Sequence, residues 1–87
     1  MGRLERTTIL VTADHGEELA DHGGISHGHS LYEEILHVPL IVRMPGARAA
    51  ASVLQRVGLI DLMPTILDHA GVEPDLPYAL QGGSILP

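Results

Sequence analysis

The chain has no cysteine, no phenylalanine and no tryptophan, and only two tyrosines in 87 residues. Without cysteine there is neither a disulfide framework nor a thiolate metal site, and no mark of the redox compartment. Any core must be built from Leu, Ile, Val, Ala and Met. Basic residues are scarce as well, five against eleven acidic ones, for a formal charge of −6 at pH 7. No basic run exists that could follow a phosphate backbone, which argues against nucleic acid as a partner. No apolar stretch is long enough to cross a bilayer, and Met1-Gly2-Arg3-Leu4-Glu5-Arg6 lacks the apolar core of a signal peptide. A chain of this length is at most one small domain that buries only roughly 60% of its unfolded surface.

Against this plain background the histidines stand out, six in all. Asp14 and His15 lie side by side in Thr12-Ala13-Asp14-His15-Gly16-Glu17-Glu18, and His27-Gly28-His29 follows shortly after. The run Thr8-Ile9-Leu10-Val11-Thr12 before them is β-branched and apolar on both faces, the pattern of a buried strand in a parallel sheet. In open α/β sheets ligands bind beyond the carboxyl ends of such strands, which is where Asp14 and His15 fall. Gly16 permits a sharp turn there, so that two adjacent side chains can face one ion. Asp14 offers a hard oxygen and His15 a borderline nitrogen, a pair that suits Zn²⁺ or Mn²⁺ better than an all-oxygen Ca²⁺ cage, although Ca²⁺ stays open. Two donors do not close a site, so further ligands must come from elsewhere. The bland alternative is that Asp14 caps the following turn and His15 faces solvent.

His27 and His29 bracket a glycine, so both imidazoles could reach an anionic substrate or a second ion. A neutral imidazole binds metal; a protonated one neutralises a sulfate or phosphate oxygen or protonates a leaving group. His22, His37 and His69 read as loop surface, helix end and a favourable cation position in a last helical turn. Glu17 and Glu18 read as loop or first-turn carboxylates, and Glu33 first as a cap.

The organisation is β, loop, α, β, α, an α/β class. The strand and metal loop occupy 8–30, a helix and strand 31–46, a helix 61–70 and a tail 72–87. Ser30-Leu31-Tyr32-Glu33 fits a capping box with Ser30 as N-cap, which predicts a short helix over 31–36. Val38 to Val42 predicts a strand closed by Met44-Pro45-Gly46. Val53 to Val57 suggests a short edge strand. In 61–70 Asp61 is a natural N-cap and Pro64 lies in the first turn. Leu62, Met63, Ile66, Leu67 and Ala70 line one face, and Gly71 ends the helix. A strand with few parallel neighbours in the chain leaves exposed edges, which favour self-association.

Four stretches together resemble the later part of a sulfatase of the alkaline phosphatase superfamily. They are Thr-Ala-Asp-His-Gly-Glu-Glu at 12–18, His-Gly-His-Ser-Leu-Tyr-Glu-Glu at 27–34, His-Val-Pro-Leu-Ile-Val-Arg-Met-Pro-Gly at 37–46, and Leu-Ile-Asp-Leu-Met-Pro-Thr-Ile-Leu-Asp-His-Ala-Gly at 59–71. The terminal Gln81-Gly82-Gly83-Ser84-Ile85-Leu86-Pro87 is similar to the Gly-x-Ser-Leu segment that follows the helix in that family. The resemblance implies an alkaline-phosphatase-like sandwich with a mostly parallel sheet, of which this chain is a partial domain over 1–87. It implies that Asp14 binds one divalent active-site metal, with His15 at the neighbouring ligand position. That position is often Asn in calcium-dependent sulfatases and His in members using zinc or manganese. His27 lies thirteen residues after Asp14, where related phosphoethanolamine transferases place a histidine near the transferred group. The resemblance thus makes His27 the first choice for contact with the ester anion and His29 the second. The implied substrate is a small-molecule or carbohydrate sulfate ester.

One departure is large. Sulfatases need a Cys or Ser in Cys/Ser-x-Pro-x-Arg, converted to formylglycine. This chain has no Cys, and Ser26, Ser30, Ser52 and Ser84 all lack the Pro-x-Arg that should follow. The expectation is a carboxy-proximal fragment with half of an active site, inactive alone. The competing expectations are a phosphatase, phosphodiesterase or phosphoethanolamine-type transferase with an upstream Ser or Thr nucleophile, and a non-enzymatic metal-binding remnant.

Overall fold

In a computed structural model of the chain, residues 2–20, 22–23, 25–26 and 31–86 are described. The apolar run after Thr8 forms strand β1, Ile9–Thr12. It pairs antiparallel with β4, Leu40–Arg43, in the register Ile9 to Arg43 and Thr12 to Leu40. A parallel, doubly covered strand is therefore not what these residues make. An apolar run reports how much side-chain surface seeks burial, but strand direction is set by the connection, and here the chain returns in the opposite sense. Nor is the ribbon covered on both faces: Ile9 and Leu10 are half-buried while Val11 and Val42 are exposed. Thr12 Oγ donates to the Pro39 carbonyl at 2.7 Å, and Arg43 Nη1 donates to the Leu4 carbonyl at 2.7 Å, so both ends of the ribbon are tied.

Between these strands the polar segment is not wholly irregular. Glu18–Leu19 (β2) and Ile25–Ser26 (β3) form a small antiparallel hairpin, with Glu18 opposite Ser26 and Leu19 opposite Ile25. Ala20, at the end of β2, sits at a φ of 67°, the left-handed region in which a Cβ is disfavoured. A single helical turn, α1, covers Glu33–Leu36 and contains Ile35, the one buried hydrophobic residue among those described. Its N-cap is Tyr32, with no side-chain cap bond, so the expected capping box is displaced: Glu33 is the first helical residue and cannot reach back as a third one would. Ser30 lies outside the described residues. Glu33 instead faces His37 one turn on, at 3.7 Å.

The chain divides into two compact units, Met1–Ala51 and Ser52–Pro87. In the second, residues 53–57 have no regular structure, and no strand among the described residues supplies the ladder an edge strand would need; Leu54 is 96% exposed. A 3₁₀ turn over Leu59–Asp61 leads into helix α2, Leu62–Ala70. Asp61 already has helical dihedrals and makes no side-chain cap to α2. Its carboxylate turns back: Oδ2 accepts the Gly58 N–H at 2.8 Å and Oδ1 accepts the Gly83 N–H at 3.0 Å. The buried residue of α2 is Thr65, whereas Met63 and Ile66 on the anticipated apolar stripe are exposed. Thr65 Oγ donates to the Asp61 carbonyl and accepts the Ile85 N–H. With Ser84 Oγ donating to Asp68 Oδ2, this fastens the tail along the helix. Gly71 closes α2 with a φ of 66°, its N–H on the Asp68 carbonyl and the Val72 N–H on the Leu67 carbonyl, a Schellman ending as expected. No helix among the described residues is long and apolar enough to cross a membrane.

The two backbone donors from Gly58 and Gly83, in that order, hold the Asp61 carboxyl below its ordinary value of 3.8, against a small opposing desolvation. A carboxylate whose folded pKa is depressed stabilises the fold above the unfolded value, and that contribution fades as pH falls through the folded one. The Gly58 and Gly83 amide resonances should accordingly titrate together with a midpoint below 3.8, and Asp61→Asn should remove the step. A midpoint at or above the ordinary carboxylate value would contradict this role.

Candidate functional site

The chemistry-bearing turn is built by the way β1 ends. After Thr12 the chain crosses the backbone of α1, where the Gly16 N–H donates to the Ile35 carbonyl at 2.6 Å. A Cβ on Gly16 would overlap the Glu34 carbonyl oxygen, so only glycine seats the turn this closely. The close approach therefore fixes the residue type, and it orients the two residues just before it.

Asp14 and His15 are brought together. The His15 N–H donates to Asp14 Oδ1 at 3.0 Å, and His15 Nε2 lies 3.6 Å from Asp14 Oδ2. The partner of His15 Nδ1 is the Gly16 carbonyl at 2.8 Å. A carbonyl only accepts, so Nδ1 carries the proton and, in the neutral ring, Nε2 holds the lone pair. This is the arrangement in which a histidine is oriented for a metal by a hydrogen bond from its other nitrogen. The Asp14 side chain is 89% exposed and that of His15 38% exposed. The turn thus presents one carboxylate oxygen and one imidazole nitrogen on the same side, a donor set that fits part of a divalent metal site. Among the described residues no group of three or more His, Asp or Glu side chains is placed to hold an ion. His27 and His29 lie outside the described residues.

A second constellation lies beside this turn, and the sequence reading passed over it. His22 lies on a turn with its side chain 41% exposed, in keeping with a loop-surface residue. In the structure its ring stacks on Tyr32, with centroids 3.7 Å apart and planes at 21°. His22 Nε2 meets Glu34 Oε1 at 2.9 Å, and the His22 N–H donates to Glu18 Oε1 at 3.2 Å. Glu18 is not a loop carboxylate either: it lies in β2 and is only 2% exposed. Glu34 Oε2 is buried without a hydrogen-bond partner. The only signal available in the sequence is the density of titratable residues at 14–22 and 33–34, since contacts twelve residues apart carry no periodicity. His37 closes α1, and His69 occupies the last turn of α2, both as read.

The sulfatase family model matches residues 1–72. Arylsulfatase K of Bos taurus is 41% identical over 87 residues, which is 100% of this chain and 16% of that protein. Arylsulfatase K of Homo sapiens is 40% identical over 84 residues, 97% of this chain and 15% of that protein. N-acetylglucosamine-6-O-sulfatase of Bacteroides thetaiotaomicron is 40% identical over 88 aligned positions, 100% of this chain and 15% of that protein. The chain thus spans about a sixth of the length of the curated relatives it matches. No solved structure matches it. With the family model covering most of its length, and relatives of this identity aligned along nearly all of it, the chain belongs to the sulfatase family.

Proposed function

We propose that this chain is a portion of a sulfatase-type hydrolase that supplies part of the metal-binding half of the site for hydrolysis of a sulfate ester. The observation that carries this reading is the convergence of Asp14 Oδ2 and His15 Nε2, 3.6 Å apart, on a turn seated against α1. Asp14 and His15 would hold one divalent cation, Ca²⁺ by family habit or Zn²⁺ or Mn²⁺ by the nitrogen donor. Bound there, such an ion supplies positive charge to the anionic oxygens of the reacting group. The Nδ1–H bond to Gly16 keeps the imidazole in one tautomer and orientation. His27 takes contact with the ester anion, and His29 follows as second choice. Protonated, either one offsets ester charge or delivers a proton to the leaving oxygen.

The nucleophile is supplied from outside these 87 residues, because none of the serines here is followed by Pro-x-Arg and there is no cysteine. By itself the chain is inactive. In the whole enzyme the sheet is the mostly parallel one of an alkaline-phosphatase-like sandwich, with further acidic ligands on its other strands. An aryl or carbohydrate sulfate is the substrate class, in keeping with relatives named as an arylsulfatase and an N-acetylglucosamine-6-O-sulfatase.

The test begins with the reading frame upstream of Met1, translated for Cys/Ser-x-Pro-x-Arg. The extended product and the 87-residue chain are then assayed on an aryl sulfate with Ca²⁺, Mn²⁺ or Zn²⁺. Turnover by the extended form alone is the expected result. Turnover by the short chain would sink the claim of inactivity. Hydrolysis of an aryl phosphate but not the sulfate by the extended form would move the reading to phosphoryl transfer.

A further inference from the structure

We propose that His22 is a positioning residue for the metal-binding turn, acting through Glu34; this deepens the sulfatase reading and rests on it. The turn at Asp14-His15-Gly16 has no deep core beneath it. Its seat is the backbone of Glu34 and Ile35: the Gly16 N–H bonds to the Ile35 carbonyl, and a Cβ on Gly16 would overlap the Glu34 carbonyl. Whatever holds residue 34 therefore holds the two donors. α1 is one turn long and has no side-chain cap, so its own hydrogen bonds are too few to hold it rigidly. The Glu34 side chain supplies the missing restraint. One oxygen is buried without a partner, and the other meets His22 Nε2 at 2.9 Å.

His22 suits this task because it is restrained on three sides. Its ring lies flat on Tyr32, the N-cap of α1. Its backbone N–H reaches Glu18, whose carboxylate is buried in β2. Its Nε2–H then points at Glu34. The imidazole thus ties the β2–β3 hairpin to α1, and α1 carries the turn. A partly desolvated carboxylate that loses its one hydrogen-bond donor must rearrange toward water, and residue 34 moves with it. Orientation of a metal ligand by groups that never touch the ion commonly governs metal affinity by 10–100-fold.

Three variants of the 87-residue chain separate this role from simple stability. His22→Phe keeps a ring over Tyr32 but removes the donor. His22→Gln keeps a donor without the ring. Glu34→Ala removes the acceptor and keeps the backbone carbonyls on which Gly16 sits. Amide hydrogen exchange at Gly16 is compared with the β1–β4 ribbon amides and with Ile85, and Mn²⁺ alone is titrated while broadening of the Asp14 and His15 amides is followed. His22→Phe should speed Gly16 exchange about tenfold or more and weaken Mn²⁺ broadening by a similar factor, with the ribbon and Ile85 unchanged. His22→Gln should recover most of both, and Glu34→Ala, which removes the acceptor, should follow His22→Phe. Unchanged Gly16 exchange in His22→Phe overturns the proposal. So does equal acceleration at every amide, or His22→Gln behaving as His22→Phe. If the native chain shows no Mn²⁺ broadening while the exchange pattern holds, the positioning contact stands and the metal assignment falls.

Discussion

Gly16→Ala should drop the melting temperature of the first unit by roughly 8–32 °C. The added methyl has nowhere to go, because its position is taken by the Glu34 carbonyl oxygen, and backbone cannot rotate away as a flexible side chain would. To make room, the turn must lift off α1 and give up the 2.6 Å bond from Gly16 N–H to the Ile35 carbonyl. Overpacking of this kind costs about 1–3 kcal/mol, and the lost hydrogen bond adds about 1 kcal/mol. In a chain this short each kcal/mol moves the melting temperature by roughly 4–8 °C. The measurement is thermal unfolding followed at amides of β1 and α1. A melting temperature within about 2 °C of the parent would mean that the turn does not sit on α1 as described. The amides of α2 supply an internal comparison, since the Thr65 and Asp61 bonds that hold the tail are made within the second unit.

The second large effect is chemical. Asp14→Asn in the extended enzyme should lower kcat/KM by roughly 10²-fold or more, and a higher concentration of the divalent ion should recover part of it. The variant is informative because it separates charge from fold. Asp14 Oδ1 accepts the His15 N–H at 3.0 Å, and the Asn carbonyl oxygen can accept the same bond. With the side chain 89% exposed there is no packing to disturb. The turn should therefore keep its amide spectrum in the 87-residue chain while the extended enzyme loses rate. An unaltered kcat/KM would remove Asp14 from the site and leave it as a turn residue. A changed amide spectrum at Gly16 would assign the loss to folding instead.

Much of the local architecture was legible because it is written in short-range rules. A run of β-branched residues before a glycine marked β1, and a proline in the first turn with a glycine just past the last marked α2 and its Schellman ending. Each of these depends on neighbours within about one turn or one strand, and the structure agrees to within a residue or two. The apolar window at 53–57 shows where such rules stop, since a strand exists only if another backbone accepts its hydrogen bonds. The expected capping role of Glu33 failed for a related reason. α1 starts at Glu33, next to the contact of Gly16 with Glu34 and Ile35, eighteen and nineteen residues away in sequence.

The site divides along the same line. That Asp14 and His15 lie together on one turn was readable from sequence, because the two are adjacent and precede a glycine. Their hydrogen bonds are local, to each other and to Gly16. His22, Glu18 and Glu34 were not readable, because their roles come from the return of the chain after the hairpin. Nothing in the spacing of 18, 22, 32 and 34 indicates that a buried carboxylate, a stacked imidazole and a helix cap would meet. Residue order alone thus determined the family and the limits of the best helix. Tertiary structure alone decided that β1 and β4 run antiparallel, that Gly16 must have no side chain, and that the exposed His22 ring stacks on Tyr32 and meets Glu34. Donor type and local periodicity are properties of the residues themselves, whereas strand direction, steric exclusion and burial exist only once distant backbone comes within a few ångströms.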